Sequence, residues 1–200
     1  MAIRDNLKAA SSKKLYEALQ YSGLVTENMT FDEMCAILAQ EYPSFFVLYK
    51  DGVNAANFAN YAGNSQGHNY SNTDANYSDL TITLGENINA VFSGTNGTRI
   101  TSIVSDAIDV SAFNKLKFNH TITAKSNSNT IRHISVFLTK VLEEKMNAAA
   151  EVVLLSTTGT SASGAKELNI SALEGKYYIG INLITQSDVN ISIGDMILEV

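Results

Sequence analysis

The spacing of apolar residues changes character at Pro43, the only proline in the chain. Before it, Leu7, Ala10, Leu15, Ala18 and Leu19 recur at three- and four-residue intervals among charged positions, which predicts a helix over residues 4–21. Ser22-Gly23 stops it, glycine being the common residue just past a helix end. A second helix is punctuated more sharply. Thr30-Phe31-Asp32-Glu33 offers a capping box, in which Thr and Glu each satisfy a backbone amide of the other. Met29 and Met34 suit a hydrophobic staple, and Phe31, Met34, Cys35 and Leu38 share one face. Two short helices bury little surface alone. They are expected to pack on each other, on a partner or on symmetry-related copies.

Beyond Pro43 the period is two. Phe45 to Lys50 is an apolar run ending in the turn pair Asp51-Gly52. Leu80 to Leu84 alternates, and Asn89 to Phe92 is followed by a turn containing Asn96-Gly97. Arg99 to Val104 and Ala107 to Val110 read as short strands. Leu116, Phe118, His120 and Ile122 then share one strand face, as do Ile134, Val136 and Leu138. Glu151 to Ser156, Lys166 to Ser171, the alternating Tyr177–Leu183 and the final Ile191–Val200 complete the series. A change of face at Gly194-Asp195 predicts a bulge. Val141 to Ala149 is expected to be a loop with a helical turn, and residues 157–164 a flexible connection. The fold class predicted is mainly β: an antiparallel β-sandwich, jelly-roll-like, over residues 44–200, preceded by a two-helix region over 1–43.

Residues 53–79 have a different texture. Asn54, Asn57, Asn60, Asn64, Asn69, Asn72 and Asn76 alternate with Tyr61, Tyr70 and Tyr77, and aliphatic residues almost vanish. The segment reads as an extended loop, longer than a compact domain usually carries without a use for it. Tyrosine supplies a flat apolar face with a hydroxyl, and asparagine a paired donor and acceptor, as recognition surfaces do. Tyr61, His68, Tyr70 and Tyr77 are therefore the candidate ligand contacts, a glycan being one ligand they suit. A loop that wraps the sandwich or packs on a neighbouring subunit is the competing reading, and the absence of Trp counts against a sugar platform.

Composition narrows the classes. A net charge of -6 with scattered basic residues is unsuited to nucleic acid, which needs clustered Lys and Arg. Cys35 is the single cysteine, which rules out an internal disulfide, and zinc spacings are absent. No apolar run reaches membrane-spanning length or marks a signal peptide, so synthesis in the cytoplasm without secretion is expected. Neither the Gly-x-Ser-x-Gly elbow, a phosphate-binding Gly-rich loop nor His-Glu-x-x-His occurs, and the expectation is a protein that binds or builds rather than catalyses. His120 reads as a core or rim histidine and Glu143-Glu144 as a solvated face. Asp195, beside the bulge, is the candidate carboxylate for a structural calcium, or else an acceptor of local hydrogen bonds. No other cofactor is expected.

Two stretches carry resemblances. Residues 18–38, from Ala18 to Leu38 with Met29-Thr30 leading into Glu33-Met34, resemble the N-terminal helical segments of bacteriophage tail and fibre proteins. Leu173 to Asn182 and Val189 to Glu199 are similar to the last strands of carbohydrate-binding-module-like, galactose-binding-like jelly rolls. There Gly194 replaces the first acidic position of the pattern and Asp195 fills the second. Together they imply a phage or prophage virion protein of the tail, fibre or baseplate, made in the bacterial cytoplasm. Its helices would join copies or other virion proteins, and its sandwich would face host-surface glycans. A stand-alone bacterial carbohydrate-binding module is the alternative, and a polysaccharide-cleaving jelly-roll enzyme a further one.

Overall fold

The computed structural model describes residues 30, 33, 45–65, 74–93, 97–125, 132–156 and 159–200. The chain divides into two compact units, Met1–Ser44 and Phe45–Val200. Of the first, Thr30 and Glu33 are described, and the two predicted helices otherwise lie outside the described residues. Those two residues form the predicted cap. The Glu33 N–H donates to Thr30 Oγ1 at 3.3 Å, and the Glu33 carboxylate accepts the Thr30 N–H and hydroxyl, each at 2.7 Å. These bonds hold the Glu33 carboxyl below its usual range.

The second unit is a sandwich of two six-stranded sheets. The first sheet contains β1 (Phe45–Tyr49), β4 (Leu80–Leu84), β5 (Ile88–Phe92), β8 (Lys115–Ala124), β12 (Ser161–Asn169) and β14 (Val189–Glu199). Its order is β12-β8-β14-β5-β4, with β1 beside the C-terminal half of β14. The second contains β2 (Ala59–Tyr61), β6 (Arg99–Val104), β7 (Ile108–Asp109), β9 (Arg132–Thr139), β11 (Ala150–Ser156) and β13 (Lys176–Thr185). Its order is β11-β9-β13-β6-β2, with β7 on the start of β13. Every pairing within the two sheets is antiparallel. No helix among the described residues is long and apolar enough to cross a membrane.

Period-two alternation puts the core where the sequence placed it. Leu116, Phe118 and Ile122 of β8 and Val189, Ile191, Ile193, Met196 and Leu198 of β14 meet Ile134, Val136 and Leu138 of β9 and Ile179, Ile181 and Leu183 of β13 in one buried cluster.

The second sheet is buried on its outer face as well. All six residues of β6 are buried, and all of β9 but His133. Ile100, Val104, Phe137 and Ile184 point to that face and are buried outside the main cluster, and Met146 is buried outside it too. A Cβ on Gly180 would fall 2.4 Å from the Phe137 ring, so the missing side chain is what lets the ring lie on β13. The cover is a short parallel pair, β3 (Asn64–Ser65) and β10 (Lys145–Met146).

This revises three expectations. Residues 53–79 are not strand-free: β2 pairs with β6, and Asn64 and Ser65 are fully buried. Residues 141–149 form no helical turn; β10 replaces it, with Met146 fully buried and the Asn64 N–H and amide donating to the Glu144 carbonyl. Nor does the connection run to residue 164. Strand β12 begins at Ser161 and pairs with β8 over its whole length, an edge position where Ser, Ala and Gly have little packing to supply.

Candidate functional site

The outer face of the first sheet has no such cover among the described residues. Its β8 positions alternate cleanly, with Leu116, Phe118, His120 and Ile122 buried and Asn119, Thr121 and Thr123 exposed. Asn190 of β14 is exposed too, with Ser192 half-buried beside it. The face is polar and mostly uncharged.

A bulge in β14 shapes this face. Gly194 pairs with Asn119 and Ile197 with Lys117, so Asp195 and Met196 together stand opposite Phe118. Asp195 takes a left-handed backbone, φ 50°, which Asp tolerates better than most residues. Its carboxylate turns to β8 and accepts the Asn119 amide at 2.8 Å. A Cβ on residue 194 would lie 2.1 Å from Asn87 Oδ1, so glycine there admits Asn87 from the β4–β5 turn.

Two hollows flank this point and share Asn119 and Ala165, so that they form one groove along β12, β8 and β14. The larger, about 460 Å³, is lined by Lys117, Asn119, Lys166, Glu167, Asp195 and Ile197 among others. The smaller, about 240 Å³, is lined by Asn87, Asn119, His120, Thr121, Ser192 and Gly194 among others. Lys117 is bound to Glu199 at 2.5 Å and Glu167 to Lys115 at 3.5 Å. Lys166 pairs with the core-facing Phe118, so of the outward-facing lining charges the Asp195 carboxylate is the one without an ion-pair partner among the described residues. It is a pure acceptor, and amide and hydroxyl side chains line the groove beside it.

His120 is 4% exposed, under the groove floor. Burial holds it below the usual histidine range; a bond to the Gly164 backbone opposes that shift, and the Lys166 charge adds to it.

Two of the sequence-predicted contacts, Tyr61 and Tyr77, lie away from this groove. Tyr61 is in β2, paired with Ser102 of the second sheet. Tyr77 packs edge-on against Phe92, and its hydroxyl accepts the Ile100 N–H at 3.2 Å. His68 and Tyr70 lie outside the described residues. Of the predicted residues that are described, Asp195 lines the groove and Tyr61 and Tyr77 do not. Among the described residues no group of three or more His, Cys, Asp or Glu collects around it to hold a metal. Asn87, Asn119, Thr121, Lys166 and Ser192 were not singled out from sequence. Lys117, Asn119 and Thr121 were legible as the polar half of an alternating strand; their neighbours across the sheet were not.

No family model matches the chain, and no curated protein matches it. Among solved structures it is similar to a family 29 carbohydrate-binding module, a CBM29-2 point mutant complexed with cellulohexaose. That likeness has 9% identity and a TM-score of 0.42, covering 77% of this chain and 89% of that one. It is similar to the K3 cleaved adhesin domain of Lys-gingipain from Porphyromonas gingivalis, at 14% identity over 76% and 98% of the two chains, TM-score 0.46. It is likewise similar to the family 11 carbohydrate-binding module of the cellulase Lic26A-Cel5E of Clostridium thermocellum, at 14% identity over 78% and 94%, TM-score 0.43.

Proposed function

We propose that the sandwich is a binding module that takes a glycan, without cleaving it, in the groove on the outer face of the first sheet. The observation that carries this reading is the pairing of Asn119 with Asp195 at the β14 bulge. An amide and a carboxylate fixed at 2.8 Å present an acceptor and donors to neighbouring hydroxyls without further ordering cost. Asn87, Thr121 and Ser192 supply amide and hydroxyl groups beside this pair. The described lining offers no tyrosine or tryptophan ring, so contact is by hydrogen bonds to hydroxyls. Carried on a phage tail or fibre protein, as residues 18–38 resemble, such a module meets host-surface glycans. The virion role rests on that resemblance and the groove does not depend on it.

The test is a glycan panel titrated against the full chain, with and without calcium. Asn119→Ala and Asp195→Asn are expected to weaken binding at least tenfold with little change in melting temperature. Asn keeps the left-handed backbone that residue 195 needs. Binding that survives both changes removes the groove from consideration. Release of reducing ends, lost in Glu167→Gln and Asp195→Asn, would instead identify a hydrolase.

A further inference from the structure

Among the described residues six strands of the two sheets pair on one side only, and five of them carry a device against pairing with another chain. Strand β12 has Lys166 and Glu167 and an irregular Gly164 at φ 128°. Strands β11 and β1 have bulges, between Val153 and Leu155 and between Val47 and Tyr49, and β2 and β7 are three and two residues long. Charges, bulges and shortness are the means by which edges are kept from pairing. Strand β4 has none. It is Leu80-Thr81-Ile82-Thr83-Leu84, uncharged, without Pro or Gly, and its register with β5 is unbroken. Among the described residues it pairs with β5 alone. Leu84 is 43% exposed, Thr81 and Thr83 are exposed, and Leu80 and Ile82 are half-buried although they face the core.

The strand reads the same in both directions. Laid antiparallel on a second copy about a two-fold axis through Ile82, it sets Leu80 against Leu84, Thr81 against Thr83 and Ile82 against itself. Apolar side chains meet apolar ones on the core face, and threonines meet threonines on the outer face. The flanking acids avoid each other in the same register: Asp79 falls opposite Gly85, and Glu86 opposite Ser78. Such self-complementarity is what an isologous two-fold contact requires. We infer that β4 is a dimerisation edge whose occupant is β4 of a second copy of this chain, joining two first sheets into one continuous sheet. The seam is five residues long, small beside the roughly 1,200 Å² of a standard stable interface, so the dimer is concentration-dependent. It places two grooves on one extended surface, which raises the avidity of the assembly for any repeating ligand.

The test uses the full chain, measured by light scattering over a concentration series, with amide exchange followed at residues 80–84. The expected result is a mass that doubles with concentration and amides that become protected in step. Thr81→Lys with Thr83→Lys puts like charges opposite each other and halves the assembled mass. Thr81→Lys with Thr83→Glu puts opposite charges there and restores the doubling. Both positions are exposed, and an unchanged melting temperature shows the fold intact in each variant. A mass that never doubles in the wild type overturns the inference. So does a double-lysine variant as associated as the wild type, or a Lys/Glu variant as dissociated as the double-lysine one.

Discussion

The outer faces of the two sheets are built from the same residue types and put to opposite uses. On the second sheet Ser102, Ser135 and Asn182 are fully buried, because β3 and β10 lie over them. Their polar atoms act as fasteners. The Ser102 hydroxyl donates to the Gly63 carbonyl at 3.0 Å, and the Asn182 side-chain carbonyl accepts the Ser65 N–H at 3.2 Å. The Glu151 carboxylate accepts the Ser65 hydroxyl at 2.7 Å and the Ser135 hydroxyl, and it meets His133 Nε2 at 3.0 Å. On the first sheet Asn119, Thr121 and Asn190 occupy equivalent outward positions and face solvent. Asparagine and serine in a strand therefore signal neither recognition nor structure by themselves. What decides is whether another segment of the chain crosses above them, and in this protein the Asn-rich segment is the segment that crosses.

That contrast can be broken most forcefully on the covered side. Phe137 is fully buried and rests on Gly180. Phe137→Ala is expected to cost about 3–5 kcal/mol by denaturant unfolding, the usual range for an aromatic lost from a packed site. A cost below about 1 kcal/mol, as for a surface change, would mean that packing on this covered face bears little of the stability. Glu151→Ala comes next. It removes one acceptor shared by two hydroxyls and a histidine, and a loss of about 2–3 kcal/mol follows from hydrogen bonds to a charged group. Thr121→Ala on the open face is expected to stay within about 0.5 kcal/mol, as exposed substitutions do. Equal losses at Glu151 and Thr121 would erase the distinction between the faces.

The sheets were legible because one residue in two carries the signal. Leu80–Leu84 and Arg99–Val104 were bounded from sequence as the structure has them, and the Gly194-Asp195 face change marked a true bulge. The covering segments were not legible. Asn64 and Ser65 look like loop residues, and the reason for their burial is a set of partners far along the chain: Glu144, Glu151 and Asn182. The helix formers of Val141 to Ala149 misled for the same reason, since a buried methionine and bonds to β3 outweigh local propensity. The groove was half legible. Alternation in β8 showed which side chains face outward, but that Asn119 meets Asp195 depends on β8 and β14 being neighbours, which no local pattern states. Tyr61 and Tyr77 drew attention by composition, and in the described fold both lean on β6.

The finest test of the comparison uses the proton. His120 lies on the core side of the first sheet, beneath the open groove, with Phe118 edge-on at 6.2 Å. Because burial depresses its folded-state value, the unfolded chain binds the proton more readily than the native one between the two values. Stability is therefore unaffected well above the ordinary histidine range. It declines as pH falls through that range, and the decline levels off once the native His120 is itself protonated. Unfolding followed against pH is expected to show this slope in the wild type. His120→Leu, which fills the site without a titrating group, is expected to flatten it. Lys166 is the charge that deepens the effect, so Lys166→Gln is expected to raise the native histidine value and narrow the window. If the slope persists unchanged in His120→Leu, the titration belongs to another group and the floor of the groove is not where the protein senses acid.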